Sequence, residues 1–252
     1  MSPLHALAIF AAGIAAGTIN TVVGSGTLIT FPVLLAFGYP PVVANVSNTV
    51  GLVPGSVSGA WGYREELAGQ RRRGLPLAIA SVLGAIGGSA ALLTLPPSAF
   101  KKIVPVFIAI ALVLIVIQPR LSAWLRTRRG SGAPRSEHAG PAATLATFAS
   151  GLYGGYFGAA QGILLISILG LSLDDDLQRL NALKVVLAGL VNFVAGVVFV
   201  IFAHISWLPA LLIAVGSTLG GVVGAHGGRR LPPWALRLVI IAVGIVAIVR
   251  LL

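Results

Sequence analysis

Apolar runs separated by short polar breaks fill almost the whole chain, at about 4–23, 26–38, 41–63, 74–95, 103–119, 141–158, 160–173, 180–203, 206–227 and 232–250. A helix of about 20 apolar residues matches the hydrocarbon thickness of a bilayer, so the longer runs predict membrane-spanning helices. The runs 26–38 and 160–173 are too short to span as helices and predict re-entrant or half-crossing segments. Each follows a glycine-rich break. The first is Gly24-Ser25-Gly26; the second runs from Gly154-Gly155 through Gly158-Ala159-Ala160-Gln161-Gly162. Glycine permits sharp turns and close backbone approach. Non-helical backbone at membrane depth is tolerated where protein buries it or a wet cavity receives it.

The long polar stretch begins at Pro119-Arg120 and holds Arg126, Arg128, Arg129, Gly130-Ser131-Gly132-Ala133-Pro134 and Arg135. Its composition is that of a flexible linker. It divides the chain into a first transmembrane repeat (1–119), a cytoplasmic basic linker (120–140) and a second transmembrane repeat (141–252). Both halves run in one order: glycine-rich break, short apolar piece, polar-seamed helix, two more spans. The fold class predicted is an all-α polytopic membrane protein of two repeats, each a Gly-broken hairpin plus three transmembrane helices. If each half opens with a hairpin that enters and leaves on one side, the halves are inverted repeats, a common transporter architecture.

Composition sharpens this picture. Hydrophobic residues make up 57% of the chain and charged residues 9%, with a mean hydropathy of +0.98. A soluble domain carries about 25% charged residues. The net charge of +11 does not point to nucleic acid, because the basic residues sit in loops between apolar runs, the positive-inside pattern. Arg64, Arg71, Arg72 and Arg73, the linker arginines, Arg179, and Arg229, Arg230 and Arg237 fall on one side, predicted cytoplasmic. Lys101, Lys102 and Arg250 fall on the other. The start, Met1-Ser2-Pro3-Leu4-His5, lacks the charged n-region of a signal peptide, so residues 4–23 are expected to remain as structure. With no cysteine, disulfides and thiolate metal sites are excluded. No Walker A pattern is present. No clustered nucleophile and base or metal-ligand set lies at membrane depth, so neither an enzyme nor a cofactor is expected.

The candidate chemistry lies in two polar seams. Asn181, Lys184 and Asn192 are spaced i, i+3, i+11, and Asn45, Asn48 and Ser56 have the same spacing. On an α-helix these offsets fall within roughly 80° of one another, one polar seam on one face. Lys184 would offset the charge of an anionic substrate; alternatively it snorkels to the interface. Asn45, Asn48, Asn181 and Asn192 would donate to substrate oxygens or else bond other helices. Gly24, Ser25, Gly26 and Thr27, with Gly158 and Gln161 in the second half, would present backbone N–H groups to an anion, or are packing breaks. Asn20, Thr21, Thr30, Ser47 and Thr49 are of second rank. Pro54 is expected to kink its helix. Trp61, Tyr63, Trp207 and Trp234 are expected in the interfacial aromatic belts, and His226 is a candidate proton carrier. No Asp or Glu lies inside an apolar run, which disfavours a carboxylate proton relay and cation transport.

Ala16-Gly-Thr-Ile-Asn-Thr-Val-Val-Gly-Ser-Gly-Thr-Leu-Ile-Thr-Phe-Pro32, followed by Gly38-Tyr-Pro-Pro-Val-Val-Ala-Asn45, resembles the sulfite exporter TauE/SafE family. A degenerate second copy is Gly151-Leu-Tyr-Gly-Gly-Tyr-Phe-Gly158. The resemblance covers nearly the whole chain. It implies a bacterial inner-membrane transporter of sulfur-containing anions: sulfite, sulfonates or related small oxoanions. The chain departs from the family in Gly24-Ser-Gly-Thr27, where many members have a longer glycine run, and in Gly158-Ala-Ala-Gln-Gly162. The expected function is a secondary transporter or exporter working by alternating access. A passive anion channel and a non-transporting scaffold subunit remain open. The partners expected are a small oxoanion and the lipid bilayer, with homo-oligomers open and no nucleic acid.

Overall fold

A computed structural model describes residues 1–129 and 139–227 and, beyond them, Ile241, Ala242, Ile245 and Ile248. The described chain is helical: α1 (Pro3–Val22), α2 (Thr27–Ala36), α3 (Pro41–Gly62), α4 (Arg64–Leu67), α5 (Arg71–Thr94), α6 (Pro97–Arg129), α7 (Pro141–Tyr156), α8 (Gln161–Ser172), α9 (Leu177–Phe202) and α10 (Trp207–Gly227). Helices α1, α5, α9 and α10 and the Pro97–Arg120 part of α6 are long and apolar enough to cross a membrane. Helix α3 spans 22 residues, but its Asn, Ser and Gly positions make it less apolar. Helices α2 and α8, of 10 and 12 residues, are the two short pieces read from the sequence. The apolar run 232–250, Arg229, Arg230, Arg237 and Trp234 lie outside the described residues.

Local chemistry sets the helix starts. Ser2 accepts the His5 N–H at 3.3 Å, and Asp176 accepts the Gln178 N–H at 2.8 Å; a short polar side chain at the N-cap satisfies one free amide of the first turn. Proline opens α1, α3 and α7, where its missing N–H costs nothing. Two expectations change. Helix α6 continues to Arg129, because Leu, Ala and Arg are good helix formers; the segment read as a linker is therefore helical over its first ten residues. Tyr63 is buried at 3% exposure among Ala182, Val185 and Ala225, so it is a packing residue and not part of an aromatic belt. Trp61 and Trp207 are exposed, and α3 runs unbroken through Pro54.

Two helix pairs are built alike, and each joins the first helix of one half to a late helix of the other. In the α1–α10 pair, a Cβ on Gly17 would lie 2.7 Å from the Ser217 Cα, and one on Gly220 would lie 2.8 Å from the Thr18 nitrogen. In the α7–α5 pair, a Cβ on Gly151 would lie 3.1 Å from the Ser81 Cα, and one on Gly84 would lie 2.7 Å from the Leu152 nitrogen. Gly17 thus corresponds to Gly151, Ser217 to Ser81, and Gly220 to Gly84. Small residues let these backbones touch, which is how helices associate where lipid removes the hydrophobic drive.

The contacts also fix direction. Gly51, Gly55 and Gly62 of α3 meet Ile213, Ser217 and Ala225 of α10 in rising order, so these helices are parallel. Gly59 meets Val185, Ser56 meets Gly189, and Val50 meets Gly196, so α3 and α9 are antiparallel. The turn α3–α4–α5, the start of α9 and the end of α10 therefore share one end of the bundle. The core is one large cluster that draws on α1, α2, α3, α6, α8, α9 and α10 and on the ends of α5 and α7, with a smaller one between α5, α8 and α9.

Alanine at Gly84 or Gly220 should each cost about 1–3 kcal/mol through backbone overpacking. Gly140, with nothing within 4 Å of its Cβ position, should tolerate alanine. Thermal unfolding of the three variants in detergent checks this ordering.

Candidate functional site

Helices α1 and α7 end and turn in the same way. Gly24 (φ +89°) and Gly158 (φ +76°) both adopt the left-handed conformation that costs an L side chain about 1–2 kcal/mol. The Gly24 N–H donates to the Ile19 carbonyl at 2.9 Å, and the Gly158 N–H to the Tyr153 carbonyl at 3.1 Å. The two breaks then meet. The Gly162 N–H donates to the Gly24 carbonyl at 2.9 Å, and a Cβ on either glycine would clash with the backbone of the other.

Beyond the first break, α2 begins. Leu28 and Ile29 bond back to the Ser25 and Gly26 carbonyls at 3.1 and 3.0 Å. The amides of Ser25, Gly26 and Thr27 find no partner among the described residues. The Ser25 hydroxyl, 1% exposed, is also unpartnered. Successive free N–H groups at a helix start, with a hydroxyl beside them, suit an anion.

The seams reach across the halves to the ends of the broken helices. Lys184, 1% exposed, donates from Nζ to the Thr21 carbonyl at 3.2 Å. Asn181 donates to the same carbonyl at 3.4 Å. In the mirrored place, Asn45 donates to the Tyr156 carbonyl at 3.0 Å. Cationic and amide donors at a helix C-terminus satisfy its leftover carbonyls and complement its partial negative charge. Among the described residues no carboxylate pairs with Lys184. Lys184 is therefore a buried amine and does not snorkel.

Asn48 serves its own half. It accepts from the Thr30 hydroxyl and donates to the Thr27 hydroxyl at 3.3 Å. Gln161 donates to the Ser150 carbonyl at 3.0 Å. Asn20 is half-buried, with its Cβ against Gly26. The last member of each seam stays away from the breaks: Ser56 bonds back to Leu52 of its own helix at 3.0 Å, and Asn192 is half-buried two turns beyond Lys184. Ser47 accepts the Ser206 N–H at 2.9 Å, and Thr49 and His226 bond carbonyls of their own helices.

The sequence reading missed the acceptors, the carbonyls of Thr21 and Tyr156. A usable signal was present, since both lie just before the glycine that ends their helix, where carbonyls go unpaired. It also missed the ring cluster beside the second break. Phe31 packs on Phe157 (5.1 Å between centroids), Phe100 on Tyr156 (5.8 Å) and Phe107 on Tyr153 (5.1 Å). The Tyr156 hydroxyl and the Asn45 Oδ1, both buried, lack partners.

The family model described as Sulfite exporter TauE/SafE matches residues 9–251. "Probable membrane transporter protein YfcA" of Escherichia coli (strain K12) is 25% identical over 233 residues, 90% of this chain and 81% of its own length. "Probable membrane transporter protein ORF9" of Sinorhizobium sp is 28% identical over 251 residues, covering 98% and 93%. A "Probable membrane transporter protein" of Haemophilus influenzae is 26% identical over 217 residues, covering 86% and 82%. No solved structure matches the chain significantly.

Gly24→Ala should destabilise the protein by more than Gly38→Ala. Both positions have positive φ, but Gly38 has open space around its Cβ position and Gly24 has the Gly162 backbone. The expected costs are about 1–2 kcal/mol of backbone strain at Gly38 and that plus about 1–3 kcal/mol of overpacking at Gly24. Equal melting temperatures would show that the breaks do not touch.

Proposed function

The chain belongs to the sulfite exporter TauE/SafE family and is a multi-pass membrane transporter, and we propose that it carries small sulfur-containing oxoanions, sulfite or an organosulfonate first, out across the bacterial inner membrane. The observation that carries this reading is the pairing at the first break: unpartnered amides of Ser25, Gly26 and Thr27 and the Ser25 hydroxyl lie next to the helix end held by Lys184, a buried amine with no carboxylate partner among the described residues. The substrate binds there, its oxygens on the α2 amides and its charge offset by Lys184. Asn45, Asn48, Asn181 and Gln161 hold the broken helices in place around it.

The halves act as inverted repeats that move against each other in alternating access. The recurrence of the α1–α10 contacts in α7–α5, with α3 antiparallel to α9, supports this. The stretch 63–71 and the arginine-bearing end of α6 face the cytoplasm, in keeping with their arginines. An anion leaving a cell gains about 2.3 kcal/mol per charge per 100 mV of inside-negative potential, so export needs no coupled ion.

Sulfite flux in proteoliposomes tests the reading. Wild type should show saturable, potential-sensitive flux with countertransport; non-saturating flux would mean a channel. Lys184→Ala, and Lys184→Met, which keeps more of the volume, should raise the half-saturating sulfite concentration about thirtyfold or more, the low end for removing one partner of a buried charge pair. Unchanged affinity in a folded variant removes Lys184 from the site. Absence of flux for sulfite, sulfonates and thiosulfate in folded wild type would leave a scaffold subunit.

A further inference from the structure

The largest polar cluster away from the breaks joins the two halves at one end of the bundle. Asp175, ahead of α9, accepts from Arg73 of α5 and from Arg179 Nε at 2.9 Å. The Arg73 and Asp175 side chains are 13% and 15% exposed. Gln70, 2% exposed, lies beneath them. Its Nε2 donates to the Arg179 carbonyl at 2.8 Å and to the Glu66 carbonyl at 2.7 Å, and its Oε1 accepts from Arg73 at 2.7 Å. Arg179 also donates to the Ala68 carbonyl at 3.0 Å. Three of these bonds, Arg73 to Asp175, Gln70 to the Arg179 carbonyl and Arg179 to the Ala68 carbonyl, tie the α4–α5 turn of the first half to the start of α9; the other three brace each side. Lys184 lies just over one turn further along that helix.

The opposite end is closed differently. There the rings of Phe31, Phe100, Phe107, Tyr153, Tyr156 and Phe157 pack against one another. Opening a packed ring cluster exposes apolar surface and loses its contacts outright. Arg179 is 34% exposed and Arg73 and Asp175 are 13% and 15% exposed, so water reaches these groups and can take over their bonds, which it cannot do for packed rings. The ion-pair end is therefore the one built to separate and reclose.

We propose that the Arg73–Asp175–Arg179 cluster, latched by Gln70, is the gate that closes the site from the loop 63–71 side, and that Asp175 is its positioning residue. This rests on the transport reading for what passes the gate, but not for whether the gate exists. The chain has no cysteine, so a single Ser25→Cys reports access to the first break. Its labelling by a membrane-impermeant thiol reagent is measured in vesicles of both orientations, with Ala68→Cys alone marking the side on which loop 63–71 lies.

Asp175→Asn should speed labelling of Ser25→Cys about tenfold from the Ala68 side and leave the rate from the other side unchanged. Asp175→Glu should restore the slow rate. Arg73→Gln, a second route to the same opening, should act like Asp175→Asn. Equal labelling with and without Asp175, or an equal rise from both sides, overturns the gate and leaves a structural clasp. One-sided acceleration in a protein that moves none of the tested anions keeps the gate and refutes the anion reading instead.

Discussion

Where a helix end is buried inside the bundle there is no water to bond its leftover carbonyls, and α1 and α7 both end that way. An unsatisfied buried backbone group costs several kcal/mol, so these helices can end there only if something else supplies donors. The donors come from the opposite half: Lys184 and Asn181 for Thr21, Asn45 for Tyr156. Each half thus completes the broken helix of the other. The seams that look in the sequence like two independent polar stripes are one reciprocal arrangement.

The same dependence extends through the helix pairs. The first helix of each half lies against a late helix of the other, backbone to backbone, through glycine and serine. Neither half can bury these small-residue faces alone, so separating the halves would leave tight, shallow grooves lined by backbone. Other contacts between the halves are looser. The α3–α9 contact is of this kind: Gly59, Ser56 and Val50 meet Val185, Gly189 and Gly196 mostly through side chains at ordinary van der Waals distance.

Helix positions were legible because apolar run length is a direct reading of membrane thickness, and glycine marked both breaks. Lys184 and the α2 start were legible because an ionisable group or a Gly-Ser-Gly turn in such surroundings is conspicuous. What the seams bind was not, since an asparagine offers the same N–H to a substrate oxygen and to a carbonyl, and only the fold decides which is near. Asn45 and Asn181 went to carbonyls, and Ser56 turned back on its own helix. Tyr63 was misplaced for a related reason: nearness to a span end predicts an interfacial ring unless a neighbouring helix covers it, as α9 and α10 do here. The Arg73–Asp175–Arg179 cluster joins residues about a hundred positions apart, and no local pattern encodes that meeting.

The two halves differ at one telling point. Where the second seam carries Lys184, the first carries Asn48, and the difference is one of commitment as well as charge. Asn48 uses its amide oxygen on Thr30 and its nitrogen on Thr27, which pins the start of α2 and leaves the helix electrically unchanged. Among the described residues Lys184 makes a single bond, to Thr21, and an ammonium has two further protons to give. The partial negative end of α1 and the partial positive start of α2 lie on either side of Gly24 and largely cancel. What remains around the break is the Lys184 amine, in a setting where an isolated cation is expensive. A symmetric pair of asparagines would have made a rigid, neutral crossing point. Replacing one of them with lysine instead places an amine, able to carry a charge, beside three amides that have no partner among the described residues.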